Sequence, residues 1–365
     1  MQALHIHAGP LARRHIGQNG LHPADVRVIP AAAGGPKGLI LGPLDRFIFG
    51  DWLADSNQPV DLVGASIGAW RMATACLNDP VAAFARLEHD YIHQHYELQP
   101  GQKRPSADQV SETFGRSLES FYGGRLAEVL QHPRYRLHIL TSRGRGLLGR
   151  EGALRTPAGY VGAFLTNTLR RKAMGAWLER VVFSAESGGK TWELPFASAD
   201  YRTRQVALQG SNFTAALQAS CSIPFVLRAV HDIPGAPPGA YWDGGIIDYH
   251  LHLNYQTSDE VDNPGIVLYP HFQKAVVPGW LDKGLKWRHK PTHFLDRAVV
   301  LAPNPEWVKT LPNAKLPDRK DFVHYGADLQ ARVKAWQTAV AASAALAEEF
   351  EAWLANPDPS RVSAL

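Results

Sequence analysis

The sequence around Ser66 constrains the fold more than any other short stretch of the chain. An apolar run from Val60 to Val63 leads directly into Gly64-Ala65-Ser66-Ile67-Gly68, and a helix of small residues is predicted from Ile67 to Leu77. Glycines on both sides of a serine let a strand turn sharply into a helix, with the hydroxyl at the tip of a strained turn. The pattern therefore predicts a strand–turn–helix unit that presents Ser66 as a candidate nucleophile.

Strands and helices alternate in the first part of the chain. The strand Val26–Ile29 is followed by small residues and by Pro36, which suits the first position of a helix that continues through Leu44 and Ile48. The strand before Ser66 and its helix complete a βαβα order, which is typical of a parallel sheet covered by helices. Further strands are predicted at 135–141, 181–183, 265–269 and 298–302. We therefore predict an α/β fold, a three-layer α/β/α sandwich with a mainly parallel central sheet.

Neither an internal repeat nor a low-complexity linker divides the 365 residues, so one elaborated domain is favoured over two. It is expected to cover 1–325, with inserted lid or loop segments around 99–180. From Leu329 to Trp353 an apolar residue recurs every three or four positions, apart from a gap at Ser343, which predicts an amphipathic helix of about seven turns. Its polar face mixes acidic and basic side chains, so the C-terminal segment 326–365 is expected to pack on the domain rather than on a membrane.

The composition argues against several classes of protein. A net charge of +4 is too small to indicate nucleic-acid binding, although it favours contact with an anionic surface such as phospholipid. The two cysteines, Cys76 and Cys221, have no metal-binding spacing and fit buried thiols in a reducing compartment. No run of eighteen apolar residues and no signal-like N-terminus occurs. We therefore expect a cytoplasmic protein that can be peripheral to a membrane.

Two further stretches complement Ser66. Gly34-Gly35-Pro36-Lys37-Gly38 follows the first predicted strand, and Asp243-Gly244-Gly245 comes late in the chain. Amides of a glycine-rich loop can stabilise an oxyanion, and a nearby base can activate a serine. The three stretches together predict one hydrolytic site. The structural alternatives are a tight turn without chemistry at Ser66 and an ordinary turn aspartate at Asp243.

Other catalytic and binding motifs fit less well. An α/β-hydrolase triad would have the order Ser, Asp, His, which His250 and His252 allow, but only two strands precede Ser66 where several are expected. A P-loop is not favoured, because the full pattern GxxxxGK followed by Ser or Thr is not met in this sequence. His89 and His93 share a helix face, but an aspartate replaces the glutamate of HExxH and no third ligand is evident. No metal site is therefore predicted.

The order of the three stretches resembles that of the patatin-like phospholipases. The segment from Gln218 to Phe225 also resembles the Ala-Ser…Pro segment that those proteins carry before their aspartate, and the resemblance covers roughly residues 25 to 250. It implies a catalytic dyad without histidine, in which Ser66 attacks an ester carbonyl and Asp243 accepts its proton. It also implies an oxyanion hole at Gly34, Gly35 and Lys37, with Gly38, Gly64, Gly68, Gly244 and Gly245 supporting the motifs.

The glycine-rich loop departs from the family pattern at two positions. Ala33 stands in place of the first glycine, and Pro36, in the variable position, has no N–H to donate. Donors are therefore expected from Gly34 and Gly35, together with the amide of Lys37. The Lys37 side chain, at the basic position of the motif, either anchors the loop electrostatically or faces the phosphate of a lipid headgroup; anchoring is favoured.

The expected function is serine-dependent hydrolysis of lipid acyl esters, of the phospholipase A or esterase type, without a metal or organic cofactor. Acyl transfer and a catalytically silent lipid-binding protein are the alternatives, and the altered loop supports the second of them. Segments 143–150 and 280–288 combine basic and apolar residues, and either could contact an anionic membrane or form a lid. A solvated basic loop or core tryptophans are the ordinary interpretation of such segments. A lipid or ester substrate is the expected partner, and nucleic acid is not.

Overall fold

The computed structural model describes residues 1–98, 102, 105–255 and 265–365, and it is an α/β fold compatible with a three-layer sandwich. The strands are β1 (Leu4–Ala8), β2 (Val26–Ala31), β3 (Val60–Ala65), β4 (Tyr135–Gly144), β5 (Leu178–Ser184), β6 (Glu186–Ser187), β7 (Lys190–Thr191), β8 (Thr203–Ala207), β9 (Val230–His231), β10 (Ala240–Asp243), β11 (Ile266–Pro270), β12 (Ala298–Pro303) and β13 (Val362–Ala364). The α-helices are α1 (Pro10–Asn19), α2 (Gly42–Gly50), α3 (Ile67–Ala75), α4 (Pro80–Ile92), α5 (Ala107–Tyr122), α6 (Leu126–Leu130), α7 (Arg155–Leu169), α8 (Phe213–Cys221), α9 (Pro305–Val308), α10 (Lys320–Tyr325), α11 (Leu329–Ala342) and α12 (Ala344–Ala355).

The centre of the main sheet is parallel. Strands β12, β11, β2, β3 and β4 lie side by side in that order, and each neighbouring pair is parallel. Their residues are almost all buried, as expected where helices cover both faces of a sheet. Antiparallel pairs, β1 with β12 and β4 with β5 and β10, make the sheet mixed towards its edges.

Strand β4 pairs with three other strands. Because β5 pairs along its length from His138 to Gly144, β3 and β10 must share its other edge. On that edge β3 ends where Ala65 pairs with Leu140, and β10, running the opposite way, ends with Asp243 opposite Thr141. The two strands therefore meet end to end, which places the residue after β3 beside the last residue of β10.

The segment 99–180, in which inserted lid or loop segments are expected, contributes β4 to the sheet at the strand predicted for 135–141. Residues 99–101 and 103–104 of this segment lie outside the described part of the chain, and α5 begins at Ala107. Helix α7 of the same segment runs from Arg155 to Leu169, and β5 begins at Leu178. The helix predicted after Pro36 begins as a 3₁₀ helix, Gly35–Leu41, before α2.

The single C-terminal helix expected from the apolar spacing is two helices, α11 and α12, separated at Ser343. The Ser343 hydroxyl bonds to the Val340 carbonyl at 2.7 Å and is fully buried. Trp336 on α11 packs with Leu39 in a small cluster, whereas Phe350 on α12 lies in the main core. The break lets the two apolar stripes face different parts of the domain. In the described ranges none of the helices has both the length and the apolar character needed to cross a bilayer.

Candidate active site

Ser66 lies in the turn between β3 and α3 with φ 57° and ψ −130°. Residues other than glycine rarely adopt such a conformation, which costs roughly 1–3 kcal/mol. The flanking glycines are required by close packing: a β-carbon at Gly68 would lie 1.9 Å from the Ala31 carbonyl oxygen, and one at Gly64 would lie 2.4 Å from Ala69 Cα. The start of α3 is thus held directly against the end of β2, and the turn has little freedom to relax.

The side chains of Ser66 and Asp243 are hydrogen-bonded to each other. Ser66 Oγ donates to Asp243 Oδ2 at 2.7 Å, and the Gly245 N–H donates to the other carboxylate oxygen, Oδ1, also at 2.7 Å. The main chain of Asp243 is fixed as well, since its N–H bonds to the Ser222 carbonyl and its carbonyl accepts from Ser142 Oγ, each at 2.9 Å. One carboxylate oxygen is therefore held in place while the other faces the serine hydroxyl.

A second serine supports the turn, and the sequence analysis gave it no role. The Ser66 N–H donates to Ser220 Oγ at 2.9 Å, and Ser220 Oγ in turn donates to the Leu140 carbonyl at 2.7 Å. Ser220 thereby connects the turn to β4, and the Ser66 amide is engaged in this network. Its only signal in the sequence is its place in the Ala-Ser…Pro segment.

Burial raises the pKa of the Asp243 carboxyl above its usual range. The hydrogen bond from Ser66, the charge of Arg319 and the Gly245 N–H oppose this rise without cancelling it. A carboxylate with a raised pKa is a stronger base than one in water, which is what proton transfer from an alcohol requires.

The glycine-rich loop packs between α3 and the Asp-Gly-Gly turn. A β-carbon at Gly38 would lie 3.2 Å from Ile67, and one at Gly245 would lie 2.5 Å from Ala33 Cβ. The Ala33 N–H is used, because it donates to the Tyr249 carbonyl at 2.9 Å. The loop therefore lies next to both halves of the serine–aspartate pair.

Of the three residues predicted to form the oxyanion hole, Gly34 and Gly35 have an N–H that can bond to a ligand. Among the hydrogen bonds of the described residues, none uses the N–H of Gly34 or Gly35, which precede the first bonded turn of the 3₁₀ helix. The amide of Lys37 is the first that can bond within that helix. The oxyanion hole thus stays a prediction, and it depends mainly on the two glycines.

Three cationic side chains lie near the pair. Lys37 Nζ is 5.2 Å from the ring centroid of Phe272, and Lys283 Nζ is 4.0 Å from that of Tyr249. Arg319 Nε would lie 3.1 Å from a β-carbon at Gly35. None of the three forms a salt bridge with another described residue, including the Lys37 side chain that was expected to anchor the loop.

The three charges influence one another and the aspartate. Shielding from solvent, followed by the charges of Lys37 and Arg319, lowers the pKa of Lys283 to about 8. Burial likewise lowers the pKa of Lys37. The sequence motifs indicated Lys37, and Lys283 lies in a segment singled out for its charge, but nothing in the sequence pointed to Arg319. The arrangement favours a substrate or product that carries negative charge.

A buried ion pair ties the helix after the glycine-rich loop to the helix after Ser66. Arg71 on α3 donates from Nε and Nη2 to the two carboxylate oxygens of Asp45 on α2, each at 2.7 Å. Both side chains are almost completely buried. Because a bidentate pair fixes both distance and orientation, it holds the two loops in register.

The histidines considered in the sequence analysis have other partners. His250 Nδ1 lies 3.1 Å from the Ala275 carbonyl, and His252 Nε2 lies 2.9 Å from Thr292 Oγ1, so neither is bonded to the serine–aspartate pair. The rings of His89 and His93 stack at 4.2 Å on the surface of α4. In the part of the chain that the structure describes, no three His, Cys, Asp or Glu side chains are grouped so as to hold a metal.

Within the described residues, the site thus combines a strained serine, a buried aspartate, two amides without a hydrogen-bond partner and three cations that form no salt bridge. Neither the models of known protein families nor the curated proteins include a match to this chain.

Proposed function

We propose that the protein is a serine-dependent hydrolase of carboxylic esters, with lipid acyl esters as substrates and a fold and dyad of the patatin-like kind. The observation that carries the proposal is the 2.7 Å hydrogen bond from Ser66 Oγ to Asp243 Oδ2, made by a serine held in a strained strand–helix turn. Such a pair of nucleophile and base is what covalent catalysis by a serine requires.

The reaction follows from the roles of the two side chains. Ser66 Oγ attacks the ester carbonyl carbon while its proton passes to Asp243 Oδ2, and the amides of Gly34 and Gly35 stabilise the resulting oxyanion. The C–O bond to the alcohol breaks, and the alcohol leaves with the proton from Asp243. Water then attacks acyl-Ser66 and gives its proton to Asp243, and the C–O bond to Ser66 breaks, which releases the carboxylic acid and returns the proton to the serine.

Two observations favour a lipid substrate over a small polar ester. Large apolar side chains are exposed around this end of the molecule, among them Phe225, whose ring centroid is 6.0 Å from that of Tyr160. Tyr160 in turn contacts Trp242, the residue before Asp243, at 6.1 Å. The three cations described above suit the phosphate of a lipid headgroup or the carboxylate of a released fatty acid.

The nucleophile is tested with short-chain nitrophenyl esters and with a labelled fluorophosphonate probe. We expect turnover and labelling by the wild-type chain, and a loss of turnover of roughly 10³-fold or more in Ser66→Ala and in Asp243→Asn. The probe should label the wild type and leave Ser66→Ala unlabelled, which identifies the serine that reacts.

Ser117→Ala is the matched control, because Ser117 is an exposed serine on α5 whose hydroxyl bonds only to the Thr113 carbonyl among the described residues. It should retain full turnover and labelling. Equal ester turnover by wild type and Ser66→Ala would refute the proposed hydrolysis and would favour a lipid-binding protein without catalysis.

A further inference from the structure

Helix α7 turns an apolar face to solvent. Val161, Phe164, Leu165 and Leu169 recur at helical spacing, and each is between 43% and 86% exposed. The opposite face of the same helix, which includes Tyr160, is buried. A helix that already uses one face for the core has no structural need for a second apolar face, so this second face is available for binding.

The segment from Trp280 to Lys290 packs directly against α7. Asn167 on α7 donates to Asp282 Oδ1 at 2.8 Å, and Arg288 Nη2 donates to the Asn167 carbonyl at 2.7 Å. Trp280 and Trp287 in this segment are 44% and 63% exposed. We call the four exposed apolar side chains of α7 named above, together with these two tryptophans, the apolar face.

The two segments that carry the apolar face expose basic side chains and no acidic ones. The sequence has no Asp or Glu between Glu151 and Glu179. The one acidic residue of the 280–290 segment, Asp282, is buried and pairs with Arg288 at 2.8 Å. Arg155, Arg170, Lys172, Lys286 and Lys290 are exposed cations of these two segments.

The apolar face lies at the same end of the molecule as the candidate site. Tyr160, on the inner side of α7, contacts Trp242 next to Asp243, and Lys283 belongs both to the 280–290 segment and to the three cations near the dyad. A surface that docked through this face would therefore be close to Ser66.

We propose that the apolar face binds the surface of an anionic lipid bilayer. Tryptophan and leucine side chains would enter the headgroup region, and the surrounding lysines and arginines would contact lipid phosphates. The charge pattern selects this partner, because two apolar segments that expose several cations and no acid of their own complement an anionic bilayer. Delivery of lipid esters to Ser66 from that bilayer rests on the proposed function, whereas the binding itself does not.

Binding is measured with the Ser66→Ala chain, so that lipid is not consumed and the result does not depend on catalysis. Sedimentation with vesicles of phosphatidylcholine containing phosphatidylglycerol is compared with sedimentation with phosphatidylcholine alone. We expect binding to the anionic vesicles that weakens as salt is added. Leu169→Ser and Trp287→Ala should each weaken it about tenfold, as expected for the loss of one large apolar side chain from the interface.

Val323→Ser is the matched control, because Val323 on α10 is 85% exposed, like Leu169 at 86%, but lies outside the apolar face. It should bind as tightly as the parent chain, whereas Lys286→Glu combined with Lys290→Glu should abolish the preference for anionic vesicles. No binding to anionic vesicles, equal binding to both kinds, or equal loss with Val323→Ser would overturn the proposal. A concentration-dependent dimer that Leu169→Ser abolishes would also overturn it, by identifying a second copy as the occupant.

Discussion

At the scale of single residues, Ser66 has a strained backbone conformation and a favourable side-chain hydrogen bond. Its φ of 57° lies where an L-residue is strained, while its hydroxyl is held by the buried carboxylate of Asp243. The two effects can be separated, because the strain depends on the presence of a β-carbon and the contact depends on the hydroxyl.

We expect Ser66→Gly to be more stable than Ser66→Ala by about 1 kcal/mol. Both variants lose the hydroxyl, but only glycine adopts the local backbone conformation without strain, and this outweighs the greater entropy of glycine in the unfolded chain. Chemical denaturation of the two variants measures the difference in their free energies of unfolding.

The same pair of substitutions at Ser343 provides the control. Ser343 is buried and also hydrogen-bonded, but its φ is −74°, so alanine should be the more stable replacement there by roughly 0.5–1 kcal/mol. The strain at Ser66 would be disproved if alanine were as stable as glycine at position 66.

At the scale of elements, the position of Ser66 depends on how closely α3 approaches β2. That approach is possible only because residue 68 has no side chain, as the 1.9 Å distance from a β-carbon there to the Ala31 carbonyl oxygen shows. Any movement of α3 away from β2 would also move the turn between β3 and α3, which contains Ser66. Packing between the two elements therefore controls the geometry of the Ser66–Asp243 pair.

We expect Gly68→Ala to reduce ester turnover by roughly 10²-fold and to destabilise the fold by about 2–3 kcal/mol. The added methyl group displaces α3 from β2, and a shift of about 1 Å is enough to spoil the alignment of Ser66 with its substrate. Steady-state kinetics and thermal unfolding measure the two effects.

Gly17→Ala is the matched control, since Gly17 lies within α1 and an added β-carbon there meets no atom within 4 Å. That substitution should leave turnover unchanged and stabilise the helix by about 0.5–1 kcal/mol. Wild-type turnover in Gly68→Ala would show that the close packing of α3 does not position Ser66.

The elements with local signals were predictable from the sequence. Strand β3 and helix α3 carry an apolar run, a glycine–serine turn and helix-forming small residues, and the structure has both. Strand β10 was not predicted, because four residues without alternation become a strand only by pairing with β4. Asp243 was found through the Asp-Gly-Gly pattern and not through the strand that holds it. The C-terminal helix divides at Ser343, where the apolar spacing has its gap, but the gap does not reveal that the two halves pack in separate clusters.

At the scale of the whole molecule, the interior contains histidines that stay neutral. Burial, together with neighbouring positive charges, lowers the pKa of His252 to about 4, and burial lowers that of His271 to about 3. In the unfolded chain a histidine takes up its proton near pH 6.5. Acid therefore favours the unfolded state, so the contribution of these histidines to stability is complete above pH 6.5 and is lost as the pH falls towards 4.

His252→Gln should flatten the dependence of stability on pH. Removing one histidine that binds a proton only when unfolded lowers the slope of the unfolding free energy between about pH 6 and pH 4.5 by up to about 1.4 kcal/mol per pH unit. Urea denaturation at several pH values measures the slope, independently of any change in overall stability.

Ile29→Val is the control, because Ile29 is buried and has no titratable group. It should lower the free energy of unfolding by about 1 kcal/mol at every pH and leave its dependence on pH unchanged. An unaltered slope in His252→Gln would mean that this histidine titrates alike in the folded and unfolded chain.

The residues of the candidate site could be predicted only in part, because some of them come together only when the whole chain folds. Ser66, Asp243 and the glycine-rich loop are marked by short patterns, so the sequence indicated them. Arg319 and Lys283 come from the C-terminal third of the chain and approach the pair only in the folded molecule. Lys283 lies in a basic segment that the sequence indicated for membrane contact and not for this site, whereas nothing in the sequence distinguishes Arg319 from an ordinary surface charge.

Strands β3 and β10 meet end to end on one edge of β4, and this arrangement limits which parts of the molecule can change during evolution without separating Ser66 from Asp243. Main-chain hydrogen bonds in the interior fix the spacing of Ser66 and Asp243, whereas the three cations and the exposed face of α7 belong to other segments of the chain. Substitutions in those segments can therefore change what the molecule binds without altering the spacing of the serine and the aspartate.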